Sequence, residues 1–336
     1  MLITHPTRAE IVESVRLAFR HLPPNEFPAR QQLIMNLVDA GSIEMDGFFI
    51  GSDGGVVVGV LISQLRPDGL ISIWYPATLD NRSPQQFFPL LNNYAKSRNA
   101  PAIVLMTDKD QVIDEKVIFD NGFEYISDML MLVANAATES NQTVENLNSA
   151  RLKFIPLYSS CFEIPEAEHV SVALRSGCSG AKPTAHTGFD IHVSTCRERL
   201  IKLMAKTYVN TRDFPKLLEL SPVDNILDEY WRNIFFRSDL WFFVQKMGEG
   251  EDIGVLLLSD VPPEHVELTY MGLIEDARGQ GFSREIIQFA QNTTVACGRK
   301  LVTTIVDEQN AAALKSYLKR GFVAWDRKKV YAKFFV

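Results

Sequence analysis

The same order of elements is written twice along this chain, and that repeat limits the fold more than any single motif does. The first copy runs through two helix-periodic stretches, RAEIVESVRLAFRHL and PARQQLIMNLVDAG, then three strand-like runs, GFFIGS, VVVGVLISQL and LISIWYPATL. It continues with a helix in SPQQFFPLLNNYAKSRN, a strand in PAIVLMTD, a helix in QVIDEKVIFDNGF and a strand in YISDMLMLV. The second copy follows the same order: RERLIKLMAKTYVN and VDNILDEYWRNIFF as helices, then WFFVQK, IGVLLLSD and VELTYMGLI as strands. SREIIQFAQNTTVACG, KLVTTIVD, NAAALKSYLKRGF and KVYAKFFV complete it. Gly59 and Gly254 stand 195 positions apart, and Gly122 and Gly321 stand 199 apart. A register kept this closely over a whole domain points to a tandem duplication.

Each copy reads as two helices, an antiparallel meander and a strand–helix–strand–helix–strand passage. The predicted class is α/β, an α+β arrangement of two tandem domains, each a mixed β-sheet flanked by helices. The predicted boundaries are 1–135 for the first domain, 136–188 for a linker with short strands, and 189–336 for the second. Polar, small residues fill NAATESNQTVENLNSA, Asn135 to Ala150, as a linker requires. RLKFIPLY and HVSVAL read as short strands after it, and RSGCSGAKPTAHTG as a punctuated loop. Mixed sheets of this kind bind ligands at the carboxyl ends of their parallel strands.

Composition narrows the function. A net charge of −7 argues against nucleic acid or an anionic membrane as the main partner. The start, MLITHPTRAEIVESV, lacks the basic and apolar regions of a secretory signal. No apolar run reaches the roughly 18–20 residues of a membrane span. The four cysteines form no CxxC pair and no metal-like spacing with the six histidines. The expectation is a cytoplasmic protein with reduced thiols, no bound metal, no nucleic-acid partner and no membrane partner.

The chemistry concentrates in EDARGQGFS, between the apolar run VELTYMGLI and the helix-periodic REIIQFA. Gly279 and Gly281 let the backbone approach a ligand closely. The amides of Gln280, Gly281, Phe282, Ser283 and Arg284 are expected to be free donors at a helix start, where backbone N–H groups and the dipole bind anions. Arg278 and Arg284 flank the turn and can add charge-assisted bonds to phosphate oxygens. A plain strand-to-helix turn explains the glycines equally well on their own, and the third glycine of the dinucleotide fingerprint is missing.

The segment Arg278-Gly279-Gln280-Gly281-Phe282-Ser283, followed by Asn310, Tyr317 and Gly321-Phe322 in order, resembles the GNAT superfamily of acyl-CoA N-acyltransferases. Serine stands where that pattern expects a glycine or alanine. The resemblance covers roughly Asp190 to Val336, and the first copy more faintly. It implies that acyl-CoA, most simply acetyl-CoA, is a co-substrate and that a small-molecule or peptide amine is the acceptor. It implies that the pyrophosphate lies on Gly279, Gln280, Gly281, Phe282, Ser283 and Arg284. The pantetheine arm would lie along Met271, Gly272, Leu273 and Ile274, with Asn310 supporting the cofactor and Tyr317 protonating the departing thiolate.

An amine attacks a thioester only when unprotonated, so a base is needed at neutral pH. Glu267 and Tyr270 are the candidates, and strict alternation puts them on opposite faces of their strand. Asp213, in TRDFP between the first two helices, is a candidate for binding the acceptor ammonium, or else an ordinary turn carboxylate. Asp307 reads as a helix-start residue. Trp231, Phe235, Phe236, Trp241, Phe242 and Phe243 read as core packing, and DRKK, Asp326 to Lys329, as a solvated hairpin.

In the first copy, LDNRSPQQF replaces EDARGQGFS: it has no glycine, and Pro84 removes an amide donor. Gln111 stands for Asn310 and Ile118 for Tyr317, while Gly122-Phe123 survives. The first domain is therefore expected not to bind acyl-CoA in the usual way, and to be structural or to form one wall of the acceptor pocket. The competing readings are a non-catalytic acyl-CoA-binding or interaction module, and a transferase of longer acyl or aminoacyl groups. Sequence leaves the oligomeric state open.

Overall fold

Each copy of the repeat builds a meander followed by a βαβ passage. In the computed structural model, residues 1–41, 43–80, 82–108, 111–136, 151–157, 189–232 and 235–335 are described. The predicted strand HVSVAL, the loop after it and most of the linker lie outside the described residues. The first copy supplies β1 (Leu2–Thr4), α1 (Arg8–Ala18), α2 (Phe27–Asp39), β2 (Phe48–Asp53), β3 (Val56–Leu65), β4 (Ile71–Trp74) and β5 (Ala77–Thr78). Then come α3 (Phe88–Ser97), β6 (Ala102–Met106), α4 (Glu115–Asp120) and β7 (Glu124–Asn135). After β8 (Leu152–Pro156), the second copy supplies α5 (Phe189–Tyr208), α6 (Pro215–Leu218), α7 (Val223–Trp231), β9 (Phe236–Lys246), β10 (Asp252–Val261) and β11 (His265–Leu273). It ends with α8 (Phe282–Ala296), β12 (Leu301–Asp307), α9 (Ala311–Leu318) and β13 (Val323–Phe334).

The spatial division differs from a cut at the linker. One compact unit holds Met1–Met129, Glu219–Ile226 and Arg327–Val336; the other holds Leu130–Leu218 and Leu227–Asp326. In the first unit the sheet runs β1, β2, β3, β4, β6 and then the end of β13, with β5 added to β3. Among the described residues only β4 and β6 are parallel there, and β13 runs antiparallel to β6 from Val330–Met106 to Phe334–Ala102. In the second unit the order is β8, β9, β10, β11, β12 and then the end of β7, with β11 and β12 parallel.

The DRKK stretch is not a hairpin. It lies inside β13, where Lys328 pairs with Asp108 and Lys329 Nζ lies 2.7 Å from Glu115 Oε1. The predicted helix QVIDEKVIFDNGF is trimmed to α4 because Asp114 caps it, its carboxylate accepting from the Lys116 and Val117 amides. Cys196 is disulfide-bonded, which corrects the expectation that every thiol is reduced; Cys297 is free.

The core that carries the site lies between α8 and one face of its sheet. Ile286, Ile287, Phe289 and Ala290 on α8 pack with Leu256, Leu258, Val266, Leu268, Val302 and Val306. Each such aliphatic side chain contributes about 1.5–3 kcal/mol by leaving water. The aromatic cluster is core, as its spacing suggests. Trp231 stacks on Phe236 at 4.9 Å, both meet Trp241 edge-on, and Phe242 meets Phe289 at 4.9 Å.

Candidate active site

β11 and β12 are paired only from His265–Leu301 to Leu268–Thr304. Beyond that point β11 runs on to Leu273 and β12 to Asp307, and the two strands part. A cavity of about 550 Å³ occupies the wedge, walled by Leu268 to Leu273, Thr304 to Val306, the end of α5 and the start of α9. A strand edge left open in this way offers backbone donors and acceptors to an extended ligand.

The register of β11 against β10 slips here. Leu258 faces Leu268 but Leu257 faces Tyr270, so Thr269 is an extra residue, a β-bulge. Leu268 and Met271 both turn toward the α8 core. Tyr270, opposite Leu257, and Glu267, opposite Ser259, therefore share the other face. Strict alternation had put them on opposite faces; the bulge shifts the phase by one residue and overturns that. Of the two, only Tyr270 lines the cavity. Burial holds the Glu267 carboxyl above its usual range, and burial also raises the Tyr270 phenol, whose hydroxyl lies 2.6 Å from Thr207 Oγ1.

The turn after β11 begins with one 3₁₀ turn, Glu275–Ala277. Gly279 and Gly281 follow at φ of +74° and +83°, where a side chain is strained, and Gly281 caps α8. The amides of Gly279, Gln280, Gly281, Phe282 and Ser283 have no acceptor among the described residues. The Arg284 amide, expected to be free, donates instead to Gly281 O at 3.2 Å. Arg278 does not point its charge outward. Its guanidinium donates to Leu273 O at 3.0 Å, Asn210 O at 3.3 Å and Thr207 O at 2.8 Å. The anion-binding capacity of the turn thus resides in its backbone and in the positive end of α8.

Arg278 also ties the turn to the loop that carries Asp213. Asn210 Nδ2 donates to Glu275 Oε1 at 2.8 Å on the same side. On the other side Asp213 Oδ1 accepts from the Asp307 amide at 3.0 Å, and Asp307 Oδ2 accepts from the Phe214 amide at 3.0 Å. This mutual clasp holds Phe214 at φ +44° and Asn210 at φ +52°, conformations an unrestrained loop would leave. Burial above all, with the neighbouring Asp307 charge, pushes Asp213 up to about 6, although the Asp307 amide and the Asn310 side chain pull it down. Asp307 also accepts from the Gln309 amide at 2.9 Å; it ends β12, and the helix start lies at Asn310, which corrects its reading as a helix-start residue.

Asn310 is the N-cap of α9, its Oδ1 accepting from the Ala313 amide at 3.3 Å. Tyr317 is 5 % exposed and packs on Phe322 at 5.3 Å, yet it also lines the cavity. Burial raises its phenol, and a hydrogen bond with Thr304 counters this only in part, so the hydroxyl stays protonated throughout the neutral range. Met271, Gly272 and Leu273 line the cavity, while the Ile274 amide is spent on Ile253 O at 2.9 Å. Thr207, Tyr208 and Tyr230 also line it and were not singled out in the sequence. Their only signal is their nearness to TRDFP and to an aromatic-rich helix, which core packing explains equally well.

The first copy shows what the second has kept. Ser83 caps a 3₁₀ turn, Pro84–Phe87, and Pro84 and Pro89 carry no amide proton at the equivalent helix start. Ile118 is fully buried in the core where Tyr317 stands in the second copy. Asp108, at the end of β6, is held by His21, Arg30 and Lys328.

Fold and site together define an α/β protein whose sheet splays beside an amide-lined helix start. Residues 207–322 match the model of the acetyltransferase (GNAT) family. That match lies wholly in the C-terminal half of the chain. Over 133 residues the chain is 28% identical to the peptidyl-lysine N-acetyltransferase YjaB of Salmonella typhimurium, covering 40% of this chain and 81% of that protein. A GCN5-related N-acetyltransferase from Sphaerobacter thermophilus superposes with a TM-score of 0.60, covering 99% of this chain and 95% of that one at 12% identity. A glucosamine N-acetyltransferase region of a fungal multi-domain β-N-acetylglucosaminidase gives 0.55, covering 98% of this chain and 38% of that one at 11% identity. At those identities the two structures speak to the fold alone. No helix among the described residues is long and apolar enough to cross a membrane.

Proposed function

We propose that this protein is an N-acetyltransferase that moves an acetyl group from acetyl-CoA to a primary amine of a small molecule or peptide, with both substrates bound together. The observation that carries the reading is the arrangement of three features in one unit: the open edge of β11, five free amides at the start of α8, and a buried tyrosine at the wedge. They fit the co-substrate piece by piece. Gly279 to Ser283 would hold the pyrophosphate, and two glycines without side chains leave room for it. Met271, Gly272 and Leu273 would pair with the pantetheine arm. Acetyl-CoA supplies a thioester carbonyl, which a backbone amide of β11 would polarise.

Tyr317 would then protonate the departing sulfur. Asn310 supports this arrangement indirectly, by starting α9 and bonding the Asp213 carboxyl. Asp213, on the far wall, would bind the ammonium group of the acceptor before transfer. The printed activity of the Salmonella relative makes a lysine side chain a reasonable first acceptor. CoA release measured over a panel of amines and lysine peptides tests the reading, with at least one acceptor expected to raise the rate well above hydrolysis. Binding of acetyl-CoA with no acceptor raising the rate would instead make the chain a binding module.

A further inference from the structure

We infer that Asp213 is the general base of the reaction, taking the proton from the incoming ammonium, so that the acceptor loop rather than β11 supplies the base. This rests on the acetyl-transfer reading above. Four observations lead to it. Asp213 lines the cavity and Glu267 does not. Tyr270 is a poor proton acceptor, because its phenol is raised and its hydroxyl is bonded to Thr207. Asp213 is fixed by the Asp307 amide and the Asn310 side chain, and no cation pairs with it among the described residues. Beside it, the buried Tyr208 hydroxyl makes no hydrogen bond of good geometry among the described residues, with the Tyr270 hydroxyl as its neighbour, and so is open to a ligand in the cavity.

The groups facing Asp213 are Tyr208 from α5, Tyr270 from β11, Asp307 from β12, and Asn310 and Tyr317 at the start of and along α9. Arg278, across the cavity, is occupied by three carbonyls, and Arg212 precedes Asp213 on the same loop. The Asp213 carboxylate, with Asp307 beside it and phenols around it, attracts a cation and then, at a pKa of about 6, accepts a proton near neutrality.

The step balances. The carboxylate takes one proton from R–NH₃⁺ and becomes a carboxylic acid, leaving a neutral amine. The amine nitrogen forms the N–C bond to the acetyl carbonyl, and the C–S bond breaks with its electron pair going to sulfur. Sulfur takes the Tyr317 proton, and the second amine proton returns to the Tyr317 oxygen. Asp213 releases its proton to water, so the products are one amide, one thiol and one proton.

The test compares wild type and Asp213→Asn by CoA release from pH 5 to 10, with Nα-acetyl-lysine methylamide and a set of small primary amines as acceptors. Thermal shift with acetyl-CoA confirms that both proteins are folded. The substitution is expected to lower kcat/KM for the amine about 10²-fold or more at pH 7. KM for acetyl-CoA should not change. The deficit should shrink as the pH nears the amine's own pKa, about 10.4 for a lysine side chain. Wild-type rates in Asp213→Asn at pH 7, or an equal deficit at every pH, overturns the assignment. So does a wild type that binds acetyl-CoA yet transfers to no protonated amine. A wild type that shows no shift with acetyl-CoA fails at the earlier step and removes the acetyl-transfer reading itself.

Discussion

Asp213 illustrates at the residue scale how a site can oppose the stability of its own fold. Its folded pKa lies above that of an unfolded aspartate, so its protonated form is the one the fold favours. The stability it contributes is full below the unfolded value of 3.8 and is lost as pH rises through about 6. Asp213→Asn keeps a carbonyl oxygen for the Asp307 amide and removes the charge. Thermal melts should therefore show the variant more stable than wild type above pH 6 and equal to it near pH 4; a constant difference would refute the linkage. Tyr317 presents the opposite case, a core residue with a chemical end. Tyr317→Phe keeps the packing on Phe322 and should lower kcat about 10²-fold while sparing KM for acetyl-CoA. Unchanged turnover in steady-state kinetics would remove Tyr317 from the reaction. Sequence spacing singled out Tyr317, Asp213 and the two turn glycines. It did not reveal that the Arg278 side chain braces three carbonyls, because a motif names a residue without saying where a long flexible side chain points.

At the element scale the decisive feature is the bulge at Thr269. Period-two alternation is readable in VELTYMGLI, but a single extra residue shifts its phase, and no residue type in that run announces the shift. This is why the strand itself was legible while the common face of Glu267 and Tyr270 was not. The landmark glycine of β10 is explained by the same neighbourhood. A Cβ on Gly254 would stand 2.5 Å from the carbonyl oxygen of Gly272, a backbone atom that cannot move without parting β10 from β11. Gly59, its counterpart, would meet the Met1 sulfur at 3.0 Å and the Phe87 ring at 3.1 Å, which are side-chain atoms. Gly254→Ala should accordingly cost about 1–3 kcal/mol in denaturant unfolding, and Gly59→Ala less. An equal or reversed order would mean that the sheet accommodates the methyl group by another route.

At the scale of the whole molecule the duplication was legible and its spatial division was not. The two copies carry the same local pattern, so nothing in periodicity says which sheet a final strand will join. The structure places Arg327–Val336 with the first unit and Leu130–Asn135 with the second. The difference between the copies, by contrast, could be read directly: Pro84 and Ile118 stand where the second copy has Gln280 and Tyr317. On the proposed function, this duplicated chain holds one acetyl-CoA, at the Gly279–Ser283 turn. Isothermal titration with acetyl-CoA tests it most directly. One molecule should bind per chain, with binding lost in Gly281→Asp and kept in Ser83→Asp. Two molecules per chain, none, or undiminished binding in Gly281→Asp would contradict it.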